Sequence, residues 1–322
     1  MQPTDKNANN KERYDIFALI GLTTAKRIWQ SIIILALTFL IFYFIFRKVN
    51  FGQTMLLLEQ TSWHLWTMAT LLIFSCPCIS GIRWHLILRS MGFRIGVFRC
   101  IFIIVGLWPI STISPARSGD LLKAFCLRKE IKPMVVAGSV LSERILDLIS
   151  LSMFSLVGGI LLHIPLIIYL SVALLVLLVV AVVFIKFFMT RYVPPKLREK
   201  INWLFLSLQE LLHHPAYSLY VVLLTATNWI VSFLMVWIFF RSVDAVVPFG
   251  ATVTIFPVAI LVGLLPFTIA GMGTRDSAMV YLFAAYATPS QAVAAALLYS
   301  FFGYWLLAVV GLPFMKKALH IK

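Results

Sequence analysis

Three charged residues fall within one otherwise apolar stretch of this sequence. Glu143, Arg144 and Asp147 follow the start of an apolar run at residue 134. Glu143 lies about nine residues into that run, which is roughly 14 Å along a helix rising 1.5 Å per residue. A charged side chain at the centre of a membrane helix costs about 2.5–3.5 kcal/mol on insertion scales. Residues of this kind are therefore candidates for function.

The spacing of these three residues is compatible with two interpretations. Glu143 and Asp147 share one face of a helix, and Arg144 reaches Asp147 three residues on. Taken alone, they could form a network of ion pairs that only fixes the helix register. Further charges in two other stretches favour a substrate-binding site, for which we predict eight residues: Arg117, Asp120, Lys123, Glu143, Arg144, Asp147, Arg275 and Asp276.

These charges suit an anionic ligand. The four cations of the set could neutralise a phosphate, each Arg through a two-pronged contact. The four acids would orient the cations or carry a coupling proton. No HExxH, GxSxG, Walker A or Cys/His zinc pattern occurs in the sequence. We therefore expect no catalytic residue, no metal and no cofactor, and a protein that is not an enzyme.

The composition identifies the surroundings of these charges. Of the 322 residues, 61% are hydrophobic and 12% are charged, and the mean hydropathy is +0.97. Such values exclude a soluble enzyme, a disordered regulator and a disulfide-knotted secreted domain. The net charge of +15 could suggest nucleic acid, but in a membrane protein it is first an indicator of orientation. We expect an all-α polytopic membrane protein with no nucleic-acid partner.

Six apolar runs are long enough to span a bilayer, which takes about 20 residues. They are 28–46, 63–88, 134–162, 164–189, 216–240 and 290–315. Two further apolar stretches, 98–116 and 251–272, are interrupted by residues that free backbone groups, and each is followed by a short helix-like piece, 118–130 or 274–287. The expected structural hinges are Pro109, Pro266, Gly271 and Gly273. Because lipid cannot satisfy freed backbone groups, we interpret 98–130 and 251–287 as re-entrant hairpins.

The distribution of basic residues supports this topology. With both termini cytoplasmic, Arg47, Lys48, Arg241 and Arg275 fall on the outer side, and the other 23 of the 27 Lys and Arg residues lie on or near the cytoplasmic side. If either hairpin were one full crossing, the basic residues downstream of it would fall mainly on the outer side of the membrane. The sequence therefore predicts a multi-pass protein of the cytoplasmic (inner) membrane.

The two hairpins resemble one another. The segment from Gly106 to Ser111 aligns with the segment from Gly263 to Thr268, and Gly119-Asp120 falls opposite Arg275-Asp276 after a one-residue gap. On the predicted topology the first hairpin enters from the cytoplasm and the second from outside, as in inverted-repeat transporters. Half-helix ends in such hairpins have free backbone donors that can hold an anion.

The expected domain organisation follows from these segments. A polar cytoplasmic tail (1–27) precedes the first span (28–46). The first repeat half is 60–190 and the second is 216–322. Between them, 191–215 has leucine residues on one helical face and predicts an interfacial amphipathic linker helix over 196–212. A plain connector helix is an equally acceptable interpretation of this linker.

Four motifs resemble a known family. They are Arg83-Trp84, the segment Ser118–Lys123 (SGDLLK), the segment Ser142–Asp147 (SERILD) and the segment Ala270–Asp276 (AGMGTRD). The chain resembles the flippase-like family of the lysylphosphatidylglycerol synthase transmembrane region over about residues 28–316. The first hairpin departs from the family pattern, with Asp120 and Lys123 where the family has Glu and Arg. The second motif ends in Asp276 instead of Glu, so the acidic side chains are shorter in both hairpins.

The resemblance implies movement of a lipid-linked group across the membrane. We expect a stand-alone member without an aminoacyltransferase domain, and a flippase for an anionic phosphate-containing lipid, either a polyprenyl-phosphate-linked sugar or a modified phospholipid. The bilayer and the lipid are the expected partners, and a lipid-modifying transferase is a candidate third. Two alternatives stay open: an intramembrane enzyme acting on lipid phosphates, and a non-transporting partner of a lipid glycosyltransferase.

Overall fold

The computed structural model describes residues 51–320 except 60–62, 115–116, 193, 266–267 and 269, together with positions 36, 40 and 43. Throughout this part of the chain the regular secondary structure is helical. The predicted tail 1–27 lies outside the described residues, as does all of the predicted span 28–46 except those three positions.

The first half of the described chain contains seven helices. In addition, a 3₁₀ turn is formed at Ser118–Leu122. The helices are α1 (Phe51–Glu59), α2 (Trp63–Ser90), α3 (Val97–Ile113), α4 (Lys123–Cys126), α5 (Pro133–Leu161), α6 (Pro165–Tyr192) and α7 (Pro195–His213).

The second half repeats the order of α2 to α5. It contains α8 (Pro215–Ser242), α9 (Phe249–Gly263), α10 (Thr274–Leu282) and α11 (Pro289–Leu319). A π-helical turn at Phe301–Leu306 lies within α11. In the described residues, α2, α5, α6, α8 and α11 are long and apolar enough to span a membrane. They correspond to five of the six predicted spans, and α3 and α9 are shorter apolar helices.

Corresponding helices in the two halves also begin alike. Helices α5 and α11 each have a proline in the first turn, Pro133 and Pro289, where the missing amide donor costs no helical hydrogen bond. The α11 start is further fixed by Thr288, whose hydroxyl accepts from the Gln291 amide while the Gln291 side chain accepts from the Thr288 amide. The loops before α3 and α9 both contain a residue with positive φ, Gly92 and Asp244.

Packing between the halves is reciprocal. Helix α3 of the first half packs against the C-terminal part of α11, and α9 of the second half packs against α5. Helix α2 packs against its own counterpart, α8. Each short apolar helix thus packs on the last of the four corresponding helices of the other half, α11 or α5, as a two-fold relation between the halves requires.

Small residues permit these exchanged contacts. A Cβ on Gly311 of α11 would overlap the backbone oxygen of Val105 in α3, and a Cβ on Gly158 of α5 would overlap the side chain of Thr254 in α9. Close backbone approach is how membrane helices gain packing energy, because lipid supplies no hydrophobic drive to bring helices together. The two halves are therefore packed tightly at equivalent places.

Helix α7 covers the segment 196–212 of the predicted linker. It packs against α5 and α2, with Ser207 and Leu211 buried in that contact. The Ser142 and Ser207 hydroxyls are 2.5 Å apart, which ties α7 to the turn of α5 that carries Glu143.

Candidate functional site

A buried arginine from α2 lies at the centre of the charged cluster. Arg83 is 5% exposed. Its Nη1 donates to Asp147 Oδ1 at 2.7 Å and its Nη2 donates to Glu143 Oε1 at 3.4 Å. Since Glu143 and Asp147 are one turn apart on α5, both reach the same guanidinium, which confirms that they share a helix face. Nη1 also lies 3.3 Å from the Thr225 hydroxyl of α8.

Lys123, the first residue of α4, completes the pairing of Glu143. Its Nζ donates to Glu143 Oε2 at 2.7 Å and lies 4.8 Å from the ring centroid of Trp84, a favourable cation–π distance. Lys123 and Glu143 are both buried. The two oxygens of Glu143 are therefore each occupied by a different cation.

Asp120 is the ion-pair partner of Arg144, the cation that α5 contributes. It also accepts a hydrogen bond of 2.6 Å from the Ser111 hydroxyl of α3. Arg144 Nη1 lies 3.7 Å from Asp147 Oδ2, so the predicted contact between Arg144 and Asp147 exists but is secondary. The 3₁₀ turn after α3 thus brings Asp120 onto the face of α5 that carries the acids.

The second half contributes an adjacent pair on α10. Arg275 is 1% exposed, and its Nε and Nη2 donate to Asp276 Oδ1 at 3.0 and 2.7 Å. Nη2 also donates to the Ser300 hydroxyl of α11. Asp276 Oδ2 accepts from the Gly273 amide at 3.0 Å, which caps the N-terminus of α10. This pair is held rigidly between α10 and α11.

Arg117 is the one predicted cation with no carboxylate partner among the described residues. Its guanidinium carbon lies 4.8 Å from the ring centroid of Trp108 and 5.5 Å from that of Tyr304. Its backbone has φ 55°, a left-handed conformation that costs a non-glycine residue about 1–3 kcal/mol. Two aromatic rings and a strained backbone therefore position a free guanidinium.

These side chains surround a polar cavity of about 100 Å³ between the two halves. Six of the eight predicted site residues line it: Arg117, Asp120, Lys123, Glu143, Arg144 and Asp147. Arg275 instead lines a smaller cavity of about 20 Å³, to which Arg117 and Tyr304 also contribute. Because Arg117 and Tyr304 line both cavities, the two spaces adjoin, and seven predicted residues border one region. Asp276 stands behind Arg275.

The predicted hinge residues are placed differently from one another. Pro109 lies inside α3, which continues to Ile113, so the chain leaves the helix four residues beyond the proline. Gly271 and Gly273 have φ 74° and 97° in the turn that precedes α10, a conformation that glycine adopts without steric cost. Pro266 lies outside the described residues.

The predicted site lacked several residues that line the cavity, above all Arg83, although Arg83-Trp84 is one of the four motifs that carry the family resemblance. Arg83 lies near the C-terminal end of its apolar run, where an arginine can also reach the membrane surface. The available sequence signal was that motif. In the structure, Trp84 Nε1 donates to Ser139 at 2.9 Å and fixes this turn of α2 on α5. Trp108, Asn228 and Tyr304 also line the cavity, and nothing in the sequence distinguished them from the other polar and aromatic residues of their spans.

In the part of the chain that the structure describes, no group of His, Cys, Asp and Glu side chains has the arrangement of a metal site. The cluster instead alternates cations with carboxylates.

Sequence comparison assigns the chain to a family. The model of the lysylphosphatidylglycerol synthase TM region matches residues 28–311. The chain belongs to this family. It is also similar to UPF0104 membrane protein MJ1595 of Methanocaldococcus jannaschii, with 26% identity over 317 residues that cover 88% of this chain and 94% of the relative. The family and the apolar helices together identify a multi-pass membrane protein.

Proposed function

We propose that this protein moves an anionic, phosphate-containing lipid from one leaflet of the cytoplasmic membrane to the other. The observation that carries the proposal is the charged cavity between the two halves. Glu143 is 3% exposed and Arg83 is 5% exposed, and an unpaired charge at the centre of a membrane helix costs about 2.5–3.5 kcal/mol. Charged side chains inside a membrane protein are costly, and they typically mark the path of an ion or a substrate.

An apolar groove next to the cavity suits the other part of a lipid. The groove has a volume of about 520 Å³ and is bordered by α5, α8 and α9, including Met153, Val157, Val222 and Gly250. It begins one turn beyond Asp147 on α5 and beside Trp229 on α8, whose Nε1 donates to Asp147 Oδ1 at 3.2 Å. A charged cavity beside an apolar groove suits a molecule with a charged head and a hydrocarbon tail.

The helix arrangement supports transport over simple binding. In our proposal, residues 98–130 and 251–287 are re-entrant hairpins that enter from opposite faces of the membrane. The reciprocal packing of α3 on α11 and of α9 on α5 is what an inverted repeat needs for two related conformations, each open to one side. The cargo headgroup would lie between the hairpins in both conformations.

Reconstitution of the purified protein into vesicles tests this proposal. Phosphatidylglycerol with a fluorophore on one acyl chain reports transbilayer movement through the fraction that a membrane-impermeant reductant quenches. We expect the quenched fraction to rise from about one half toward completion only in vesicles that contain the protein. Mass spectrometry of the recovered lipid distinguishes the alternatives, because an intramembrane enzyme would change the lipid mass. Movement at the rate of protein-free vesicles, with phosphatidylglycerol and with a polyprenyl-phosphate sugar, would contradict the proposal.

A further inference from the structure

The cations of the cluster differ in whether they are free to bind a ligand. Arg83 is paired with Asp147 and Glu143, Lys123 with Glu143, and Arg144 with Asp120. An incoming phosphate would have to displace a carboxylate from each of these three. The pairs of Arg83 and Lys123 are buried, and the Arg144–Asp120 pair is partly buried. Because removing one partner of a buried pair strongly destabilises a protein, these cations are poor first contacts for a ligand.

Four side chains around the two cavities carry a buried donor that is unpartnered in the described structure. They are Arg83 Nε, Trp108 Nε1, Arg117 Nε and Arg275 Nη1. Arg83 is still neutralised through its Nη1 and Nη2, whereas Arg117 has no carboxylate partner among the described residues. All four are donors, and all four belong to side chains that line the polar cavity or its smaller neighbour. Buried donors are normally satisfied, and a group of them is complementary to a ligand that supplies acceptor oxygens. Asn228 adds an unpartnered Oδ1 to the cavity, which suits a hydroxyl on the same ligand.

Arg117 and Arg275 come from different halves and meet at one ring. Arg117 is 5.5 Å and Arg275 is 5.1 Å from the ring centroid of Tyr304, and all three residues line the same small cavity. Arg275 is fixed by Asp276 and Ser300 through Nε and Nη2, which leaves Nη1 as its free side. An anion that contacts both arginines would therefore join the first hairpin to the second.

The charge of the cluster sets the charge of its ligand. The five cations are Arg83, Arg117, Lys123, Arg144 and Arg275, and the four carboxylates are Asp120, Glu143, Asp147 and Asp276. One positive charge is left over, and it corresponds to Arg117. In a medium of low dielectric constant a ligand with one negative charge leaves the loaded cluster neutral, whereas a phosphomonoester, which carries about −1.5 to −2 at pH 7, leaves it negative.

We propose that Arg117 and Arg275 form a two-arginine site that holds the phosphate of the cargo between the halves, and that this site selects a singly charged phosphodiester over a phosphomonoester or a diphosphate. The identity of the anion as part of a lipid rests on the proposed function, but the location and the charge preference do not. Arg83, Lys123 and Arg144 are positioning residues that fix the carboxylates around the site.

Binding of soluble probes to the purified full chain in detergent tests the site without any transport step. The probes are glycerophosphoglycerol, a phosphodiester, and glycerol 3-phosphate and inorganic phosphate, which carry more charge at pH 7. We expect calorimetry to show glycerophosphoglycerol binding at least tenfold more tightly than the other two. Arg117→Gln should abolish this binding, and Arg117→Lys should retain part of it. The control Arg99→Gln makes the same change in net charge at an exposed pair and should bind like the unmodified protein.

A change in the charge count tests the selectivity itself. Asp120→Asn, or Asp276→Asn if the first variant does not fold, leaves two positive charges in excess and should shift the preference toward glycerol 3-phosphate. Tighter binding of inorganic phosphate by the unmodified protein, or unchanged binding in Arg117→Gln, would overturn the inference. Selective probe binding together with no lipid movement in vesicles would support the two-arginine site and contradict the proposed lipid transport.

Discussion

Replacement of Arg83 tests the cluster most sharply, because this one guanidinium neutralises two buried carboxylates. In Arg83→Met, Asp147 keeps only the Trp229 donor at 3.2 Å and the distant Arg144 at 3.7 Å, while Glu143 keeps Lys123 at 2.7 Å. One carboxylate is thus left nearly unpaired. Removing one partner of a buried pair costs about 3–5 kcal/mol, and one unpaired acid in a membrane helix costs about 2.5–3.5 kcal/mol. We expect a loss of about 3 kcal/mol in the free energy of unfolding.

A double-mutant cycle separates the ion pair from the loss of packing. If the pair is the cause, Arg83→Met/Asp147→Leu should recover most of the loss, since two apolar side chains leave no buried charge from this pair. Unfolding is followed by circular dichroism in mixed micelles with increasing denaturing detergent. The control is Arg99→Met, which removes the exposed ion pair with Glu130 and should cost less than about 1 kcal/mol. A loss below 1 kcal/mol in Arg83→Met, or a double variant as unstable as the sum of both singles, would refute the reasoning.

Two glycine substitutions give further predictions. Gly250→Leu, which meets no heavy atom within 4 Å at its Cβ, should narrow the apolar groove and slow lipid movement severalfold without changing probe binding or stability. Ala173→Leu, a similar enlargement at an exposed position of α6 outside the groove, should leave the vesicle assay unchanged. Equal slowing in both variants would contradict a role for the groove. Gly311→Leu places a Cβ against the backbone of Val105 and should lower the free energy of unfolding by about 1–3 kcal/mol; unfolding like that of the unmodified protein would show that α3 and α11 are not held this closely.

The apolar spans were readily predictable because their signal is local. A run of about 20 apolar residues has few alternatives to a membrane helix, and five of the six predicted runs are long helices in the described chain. The two shorter stretches were also distinguishable, since their proline and glycine content marked them as irregular. The position at which the first short helix ends was harder to predict. Helix α3 passes through the predicted hinge Pro109 and ends at Ile113, since neighbouring helices can accommodate a proline within a membrane helix.

The site was only partly predictable because its ion pairs join residues that are far apart in the sequence. The spacing of Glu143 and Asp147 indicated a shared face, but their common partner Arg83 is 60 residues away along the chain from Glu143. Which cation remains free is also a property of the assembled helices. Arg117 and Arg144 look equivalent in the sequence, yet Arg144 is neutralised by Asp120 while Arg117 lies between two aromatic rings.

The most direct test of the account is the rate of transbilayer movement of phosphatidylglycerol in vesicles containing either the unmodified protein or Arg117→Gln. The account predicts rapid movement with the unmodified protein and movement at least tenfold slower with Arg117→Gln, at equal amounts of folded protein. Equal rates with the two proteins, or no movement above that of protein-free vesicles with either, would contradict the claim that the cavity between the two halves carries the headgroup of a lipid.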